Sequence, residues 1–206
     1  MDKQDSKNFQ DLLLEFSKEA TDSGRHEIEA KLWEEYGTER VVFILDMSGF
    51  SLLTRKYGIV HYLSMVRRMQ LIAEPIVKTY GGSLIKFEAD NCFAVFPDTL
   101  SAIHAAIALQ FAFKSTNLLT TKDFDIRISC GIDYGKILII GNEDCFGDAV
   151  NRACKLGEDV ANAGEILVTQ DAMKTVHAEM EFKLREMNIS ISGINIPAYA
   201  IEYKVE

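Results

Sequence analysis

The chain has 206 residues, 48% of them hydrophobic, with 22 Lys+Arg against 31 Asp+Glu and a formal net charge of −9. The apolar fraction suffices for a sizeable core and excludes disorder as the main state, while the acidic balance disfavours a general nucleic-acid binder, which needs a basic face. No apolar run reaches the roughly 18–20 residues of a bilayer span, the polar start MDKQDSKNFQ lacks an h-region, and Cys92, Cys130, Cys145 and Cys154 form no C-x-x-C pair, so a cytoplasmic protein with reduced, buried thiols is expected.

Residues 1–39 hold 11 acidic and 5 basic side chains, against 20 and 17 in residues 40–206, so most of the charge imbalance lies in a short N-terminal segment. Two amphipathic helices are expected there, from about Phe9 to Ala20 and from about Arg25 to Tyr36, punctuated by Thr21-Asp22-Ser23-Gly24. Such a helical segment either packs on the following domain or serves dimerisation or signal transmission. Residues 40–206 read as one domain. Val41 to Leu45 is a continuous apolar run, as in a central strand buried on both faces. A helix from about Val60 to Tyr80 follows, with Pro75 expected to bend or break it. Ser83–Phe87 and Cys92–Phe96 are separated by only four residues and predict an antiparallel hairpin. An Ala-rich helix over Thr99–Ser115 precedes two strands, Ile126–Ile132 and Lys136–Ile140, joined at Asp133-Tyr134-Gly135. Gly147–Val160 is expected to be helical, Glu165–Val168 a strand and Asp171–Glu179 a short helix. Strands at Glu181–Met187 and Ala198–Lys204 close the chain. The order is an α/β sandwich, a ferredoxin-like βαββαβ core with C-terminal additions.

Three segments carry candidate chemistry. In Leu45-Asp46-Met47-Ser48-Gly49-Phe50-Ser51, an Asp leaves a hydrophobic strand into a Gly-containing turn. A carboxylate with a neighbouring carbonyl suits a hard cation, and turn N–H groups suit phosphate oxygens. In Lys86-Phe87-Glu88-Ala89-Asp90-Asn91, Asp90 sits at the hairpin turn, either as a simple turn former or as a partner of Asp46 if the strands are neighbours. Two carboxylates meeting at one edge repel unless divalent ions lie between them. In the third segment, Asp144 to Lys155, Asn151 and Lys155 are four apart and share a helix face, either a solvated one or part of a site, whereas Arg152 is rotated about 100° away.

Taken together, FILDMSGFS, GGSLIKFEADNCFAVFPD and CFGDAVNRACKLGEDVANAGEILVT resemble the class III nucleotide cyclase catalytic domain in order and spacing over roughly residues 40–203. The resemblance implies an adenylate cyclase type of enzyme that turns ATP into 3′,5′-cyclic AMP and pyrophosphate. It implies two Mg²⁺ or Mn²⁺ ions held by Asp46, Asp90 and the Met47 carbonyl, with Gly49, Phe50 and Ser51 as the phosphate-facing loop. Lys86 and Asp144 fall at the purine-reading positions, a pair suited to adenine: the ammonium donates to N1 and the carboxylate accepts from the 6-amino group. Asn151 falls where the ribose is oriented and Lys155 where transition-state charge is offset. Members form antiparallel dimers with two composite sites, and this chain holds both residue sets, so a homodimer is implied. Cyclisation of GTP and a nucleotide-binding pseudo-cyclase acting as a signalling dimer remain as alternatives.

The sequence departs from the family in four places. Lys155 replaces the usual Arg and loses its planar fork. Ala89 replaces a turn Gly, and Glu88 adds a carboxylate at a generally apolar position. Residues 192–197 lack the Lys that often holds the terminal phosphate, and Lys136 and Arg55 are the other available cations.

Overall fold

A computed structural model describes residues 3–177, 180–191 and 193–203. Its centre is β1 (Gly37–Met47), whose run Val41–Leu45 is fully buried. Alternation along the strand sends Val41, Phe43, Leu45 and Met47 into one core layer and Val42 and Ile44 into another. The first layer is closed by α4 (Ile59–Thr79) and α5 (Thr99–Asn117), the second by α6 (Asp148–Cys154). A strand covered on both faces has no solvent side, which explains its unbroken apolar sequence. α5 is capped by Asp98, whose side chain accepts from the Ser101 N–H at 2.8 Å. Pro75 does not interrupt α4, which is continuous from Ile59 to Thr79.

The sheet runs β2 (Ser83–Glu88), β3 (Asn91–Phe96), β1, β4 (Ile128–Ile140), β6 (Ile166–Thr169), β8 (Ile194–Glu202), β7 (Lys183–Ile191), with β5 (Asp144–Phe146) paired to the end of β4. The first four strands have the antiparallel ferredoxin-like order, and β6, β8 and β7 are the additions. The two strands expected at Ile126–Ile132 and Lys136–Ile140 are one, Ile128–Ile140. β4 crosses 133–135 without a turn because β1 pairs with it along its whole length, from Gly37↔Leu138 to Met47↔Ile128. Asp133 is held inside the sheet by side-chain partners and does not form a turn.

Further differences are local. A short helix, α3 (Phe50–Tyr57), begins where a loop through Ser51 was expected, so only Ser48 and Gly49 form the turn. The predicted helix over 147–160 is two pieces, α6 and a wide π-turn at Lys155–Val160. α7 is only Gln170–Met173, while β7 and β8 are longer and shifted from their expected bounds. Ala178, Glu179 and Lys204, which ended predicted elements, lie outside the described residues.

The N-terminal helices α1 (Lys3–Lys18) and α2 (Asp22–Tyr36) fold as a hairpin, with Thr21 capping α2 by accepting from the Gly24 N–H at 3.1 Å. Phe9, Leu12, Ile28, Leu32 and Tyr36 pack with Leu138 and Ile140 of β4, and Phe9 stacks on Phe146 of β5 at 6.1 Å between centroids. All four cysteines are free thiols, three of them buried and Cys154 half-buried. Burial pushes the Cys92 and Cys154 thiols up to about 12 and Cys145 to about 11.

Candidate active site

Residues directly opposite one another in an antiparallel pair share a face. The pairs Asp46↔Asn91, Glu88↔Asn91 and Lys86↔Phe93 therefore align four polar side chains on one face of β1, β3 and β2. That face is the one covered further along by α6, since Phe93 and Ile44 belong to its core layer. The strip begins where α6 stops covering the sheet.

Asp46 ends the strip. Its carboxyl is pushed up to about 7, first by burial, then by the negative charges of Asp90 and Glu158. The β2–β3 turn brings Asp90 there, and the Met47 N–H donates to the Asp90 carbonyl at 3.3 Å. Ala89 takes φ 51° in this turn, the left-handed region, where an L side chain costs on the order of 1 kcal/mol. Two further residues join the carboxylates without having been anticipated. Glu158, in the π-turn, accepts from Asn91 Nδ2 at 3.2 Å, and Tyr62 of α4 brings a buried hydroxyl to Asp90. The Tyr62 hydroxyl is pushed up by burial and then by Asp90. The signal for Glu158 was its spacing, since 151, 155 and 158 recur at helical intervals; Tyr62 looked like an ordinary core aromatic.

Among the described residues, no group of three or more His, Cys, Asp or Glu side chains gathers closely enough to hold an ion unaided. Asp46 and Asp90 nevertheless fit a divalent cation: both are hard oxygen donors, and their mutual repulsion is what an ion between them would remove. A carbonyl, water and substrate oxygens would complete the shell, as Mg²⁺ sites with one or two carboxylates usually require.

Gly49 follows at φ 94° and precedes α3, with the Leu53 N–H donating to its carbonyl at 3.1 Å. Phe50 and Ser51 are the first two residues of that helix, so their amides belong to the unsatisfied N-terminal turn. Their side chains lie outside the described part of the structure.

Lys86 and Asp144 meet: Nζ lies 3.1 Å from Asp144 Oδ1 and 2.5 Å from Glu88 Oε2, above the Phe93 ring at 4.9 Å from its centroid. The strand that delivers Asp144, β5, is three residues long, and Asp144 also accepts from the Cys145 N–H at 2.9 Å. Burial alone would lower the Lys86 pKa, but the two carboxylates outweigh it and raise it.

Asn151 is exposed on α6, and Lys155 is half-buried at the first position of the π-turn. Among the described residues, Lys155 makes no ion pair. The helix carrying both comes unusually close to β4. A Cβ added at Gly131 would fall 2.0 Å from the Ala153 carbonyl oxygen and 2.5 Å from the Gly157 nitrogen. π-turns of this kind concentrate at functional sites.

Arg152 points the other way, as its helical phase requires. Its Nε lies 2.5 Å from Oδ2 of Asp133, which has no exposed surface, and its Nη1 lies 2.8 Å from Asp148 Oδ2. Asp133 Oδ1 also accepts from the Thr169 hydroxyl and from the Tyr134 N–H at 2.8 Å. Burial pushes the Asp133 carboxyl up, against the pull of Arg152 and Thr169.

A sequence profile described as the adenylate and guanylate cyclase catalytic domain matches residues 34–202. The terminal-differentiation-specific adenylate cyclase of Dictyostelium discoideum is 26% identical over 168 residues, 74% of this chain and 8% of that protein. The chain thus spans less than a tenth of that relative's length. Among solved structures, the adenylyl cyclase CyaB from P. aeruginosa superposes with a TM-score of 0.71 at 22% identity, covering 82% of this chain and 97% of that one. The guanylyl cyclase Cya2 gives 0.71 at 16% identity, covering 80% and 92%. The guanylate cyclase domain of RhGC from Catenaria anguillulae, in complex with GTP, gives 0.67 at 17%, covering 81% and 97%. At these identities the superpositions establish the fold, which adenylyl and guanylyl cyclases share. Among the described residues no helix is long and apolar enough to cross a membrane.

Proposed function

Since the chain belongs to the adenylate and guanylate cyclase catalytic-domain family, we propose that it is an adenylate cyclase, converting ATP into 3′,5′-cyclic AMP and pyrophosphate. The observation that carries the choice of ATP is the contact of Lys86 Nζ with Asp144 Oδ1 at 3.1 Å. An ammonium donates to adenine N1, and a carboxylate beside it accepts from the 6-amino group. A site built to pair polar atoms discriminates strongly against a base that leaves them unpaired.

Asp46, Asp90 and the Met47 carbonyl would hold two Mg²⁺ or Mn²⁺ ions. Lewis acidity toward the ribose 3′-oxygen and the α-phosphate is the chemistry such ions would supply there. The amides at Gly49, Phe50 and Ser51 receive phosphate oxygens at the helix start. Asn151 orients the ribose, and Lys155 offsets charge that builds on the transferring phosphorus. The 3′-oxygen forms its bond to the α-phosphorus in line as the bond to the pyrophosphate oxygen breaks, and the hydroxyl proton leaves to solvent. Positioning and electrostatics account for most of the rate, as in other phosphoryl transfers. Two copies of the chain, each holding both residue sets, assemble two composite sites in a homodimer. The α1–α2 hairpin is the dimerising or signal-transmitting appendage of this unit.

Purified protein with Mn²⁺ and each of the four nucleoside triphosphates tests this. Cyclic AMP is expected as the main product, and Lys86→Ala is expected to reduce it at least tenfold. No cyclic AMP under any metal condition overturns the assignment.

A further inference from the structure

Lys86 has one carboxylate more than an adenine pocket needs. Asp144 alone completes a donor–acceptor pair for adenine, yet Nζ lies closer to Glu88, at 2.5 Å against 3.1 Å. Glu88 and Lys86 are two apart on β2 and share its site-facing side, with Asp144 arriving from β5, so the ammonium stands between two acceptors. The Glu88 side chain is 62% exposed, against 24% for the Lys86 side chain it pairs with, so its carboxylate is open to a ligand. It also adds negative charge to a region that already holds Asp46, Asp90 and Glu158. Like charges so gathered disfavour one another's ionised forms, and a cation or ligand donor among them relieves this.

The ligand edge that fits the spare acceptor is a definite one. Adenine shows a donor at position 6 and an acceptor at N1. Guanine shows an acceptor at O6, then donors at N1 and the 2-amino group. Reading Asp144, Lys86 and Glu88 as acceptor, donor, acceptor, the first two match adenine and the last two match guanine. The base need only move by one position along the row.

We propose that Glu88 is a specificity-determining residue of the purine pocket: Lys86 donates to adenine N1 while Asp144 accepts the 6-amino group, and donates to guanine O6 while Glu88 accepts N1–H and the 2-amino group. The pocket thereby has two purine registers that share one lysine, and GTP is bound and cyclised beside ATP. This rests on the cyclase assignment above and on its placement of Lys86 at the base. Without Glu88, guanine would leave its N1–H and 2-amino donors unpaired, the situation in which polar sites reject a substrate by several orders of magnitude. With Glu88 in place, discrimination falls to less than about a hundredfold.

The test compares the wild-type chain with Glu88→Leu and Asp144→Ala, reading kcat/KM for ATP and for GTP with Mn²⁺. In parallel, displacement of a fluorescent ATP analogue by ATP and by GTP gives the same selectivity without turnover. A crossed pattern is expected. Glu88→Leu should lower the GTP-to-ATP ratio at least tenfold, and Asp144→Ala should raise it. An unchanged or increased GTP-to-ATP ratio in Glu88→Leu, in turnover or in displacement, overturns the proposal. If no variant forms a cyclic nucleotide, the cyclase assignment fails, and the displacement ratios still decide whether Glu88 reads guanine.

Discussion

Asp46 and Asp133 lie on the same face of neighbouring strands. Asp46 pairs with Ser129 and Asp133 with Val42, so about four residues, roughly 13 Å, separate them along the β1–β4 ladder. Their surroundings are opposite. Asp133 is sealed, and its oxygens are taken by Arg152, Thr169 and a backbone N–H. Asp46 is flanked by Asp90 and Glu158, with no cation paired to it among the described residues. The fold completes the charge of one aspartate and leaves the other to be completed by something that binds. A buried charge answered inside the chain serves architecture; one surrounded by its own sign serves a ligand.

The sharpest way to break this comparison is to neutralise each aspartate. On the function proposed above, Asp46→Asn is expected to reduce cyclic-nucleotide formation at least about a thousandfold, by removing a carboxylate that would hold the metal. The same change should raise stability in metal-free buffer. The folded pKa of Asp46, about 7, exceeds its ordinary value of 3.8, so the native state holds this proton more tightly than the unfolded chain does. Stability from this group is fully present below about pH 4 and is lost as pH rises to about 7. Above that, Asp46→Asn should exceed wild type by on the order of 2 kcal/mol, after discounting for partial solvent screening. Urea midpoints at pH 5 and pH 8 with a chelator check it, and a variant less stable than wild type at pH 8 contradicts it.

Asp133→Ala should do the opposite, costing about 3–5 kcal/mol by leaving the Arg152 guanidinium without its buried partner. Adding Arg152→Met should recover most of that loss, which a double-mutant cycle in urea measures. A double variant whose loss equals the sum of the two single losses would show that the pair is not coupled.

The smallest effect belongs to the turn that delivers Asp90. Ala89→Gly relieves the left-handed backbone at φ 51° and should stabilise the protein by about 1 kcal/mol. A thermal midpoint below that of wild type would rule this out.

The same contrast explains what the sequence revealed. Asp46 was legible because a lone carboxylate after a run of five apolar residues has no local role, and hairpin spacing brought Asp90 within reach. Asp133 was misread as part of a turn because Asp-Tyr-Gly has turn composition, and its true partners, Arg152 and Thr169, are 19 and 36 residues away. Strand β5 was hidden by its length, too short for alternation to register. The π-turn was hidden because Lys155–Val160 keeps a helical pattern, and the close approach of Gly157 to Gly131 of β4 involves residues 26 positions apart. Lys86 and Asp144 were aligned through the family resemblance; propensity alone could not have joined two strands 58 positions apart in the chain.

The meeting of Gly131 and Gly157 bears on how this gene can drift. Every single-base change that replaces a glycine adds at least a Cβ, and at Gly131 that atom would land 2.0 Å from a backbone oxygen that cannot rotate away. The helix end bearing Lys155 would have to lift, and displacements of about 1 Å in such groups cost around a hundredfold in rate. Gly157 is tight but less so, with the Gly131 nitrogen 3.0 Å from a Cβ added there. The Gly131 codon has no neutral missense neighbour while activity is under selection, whereas the exposed outer surface of the N-terminal hairpin has many. Sequence divergence between related chains should therefore accumulate on the appendage and stop at this crossing.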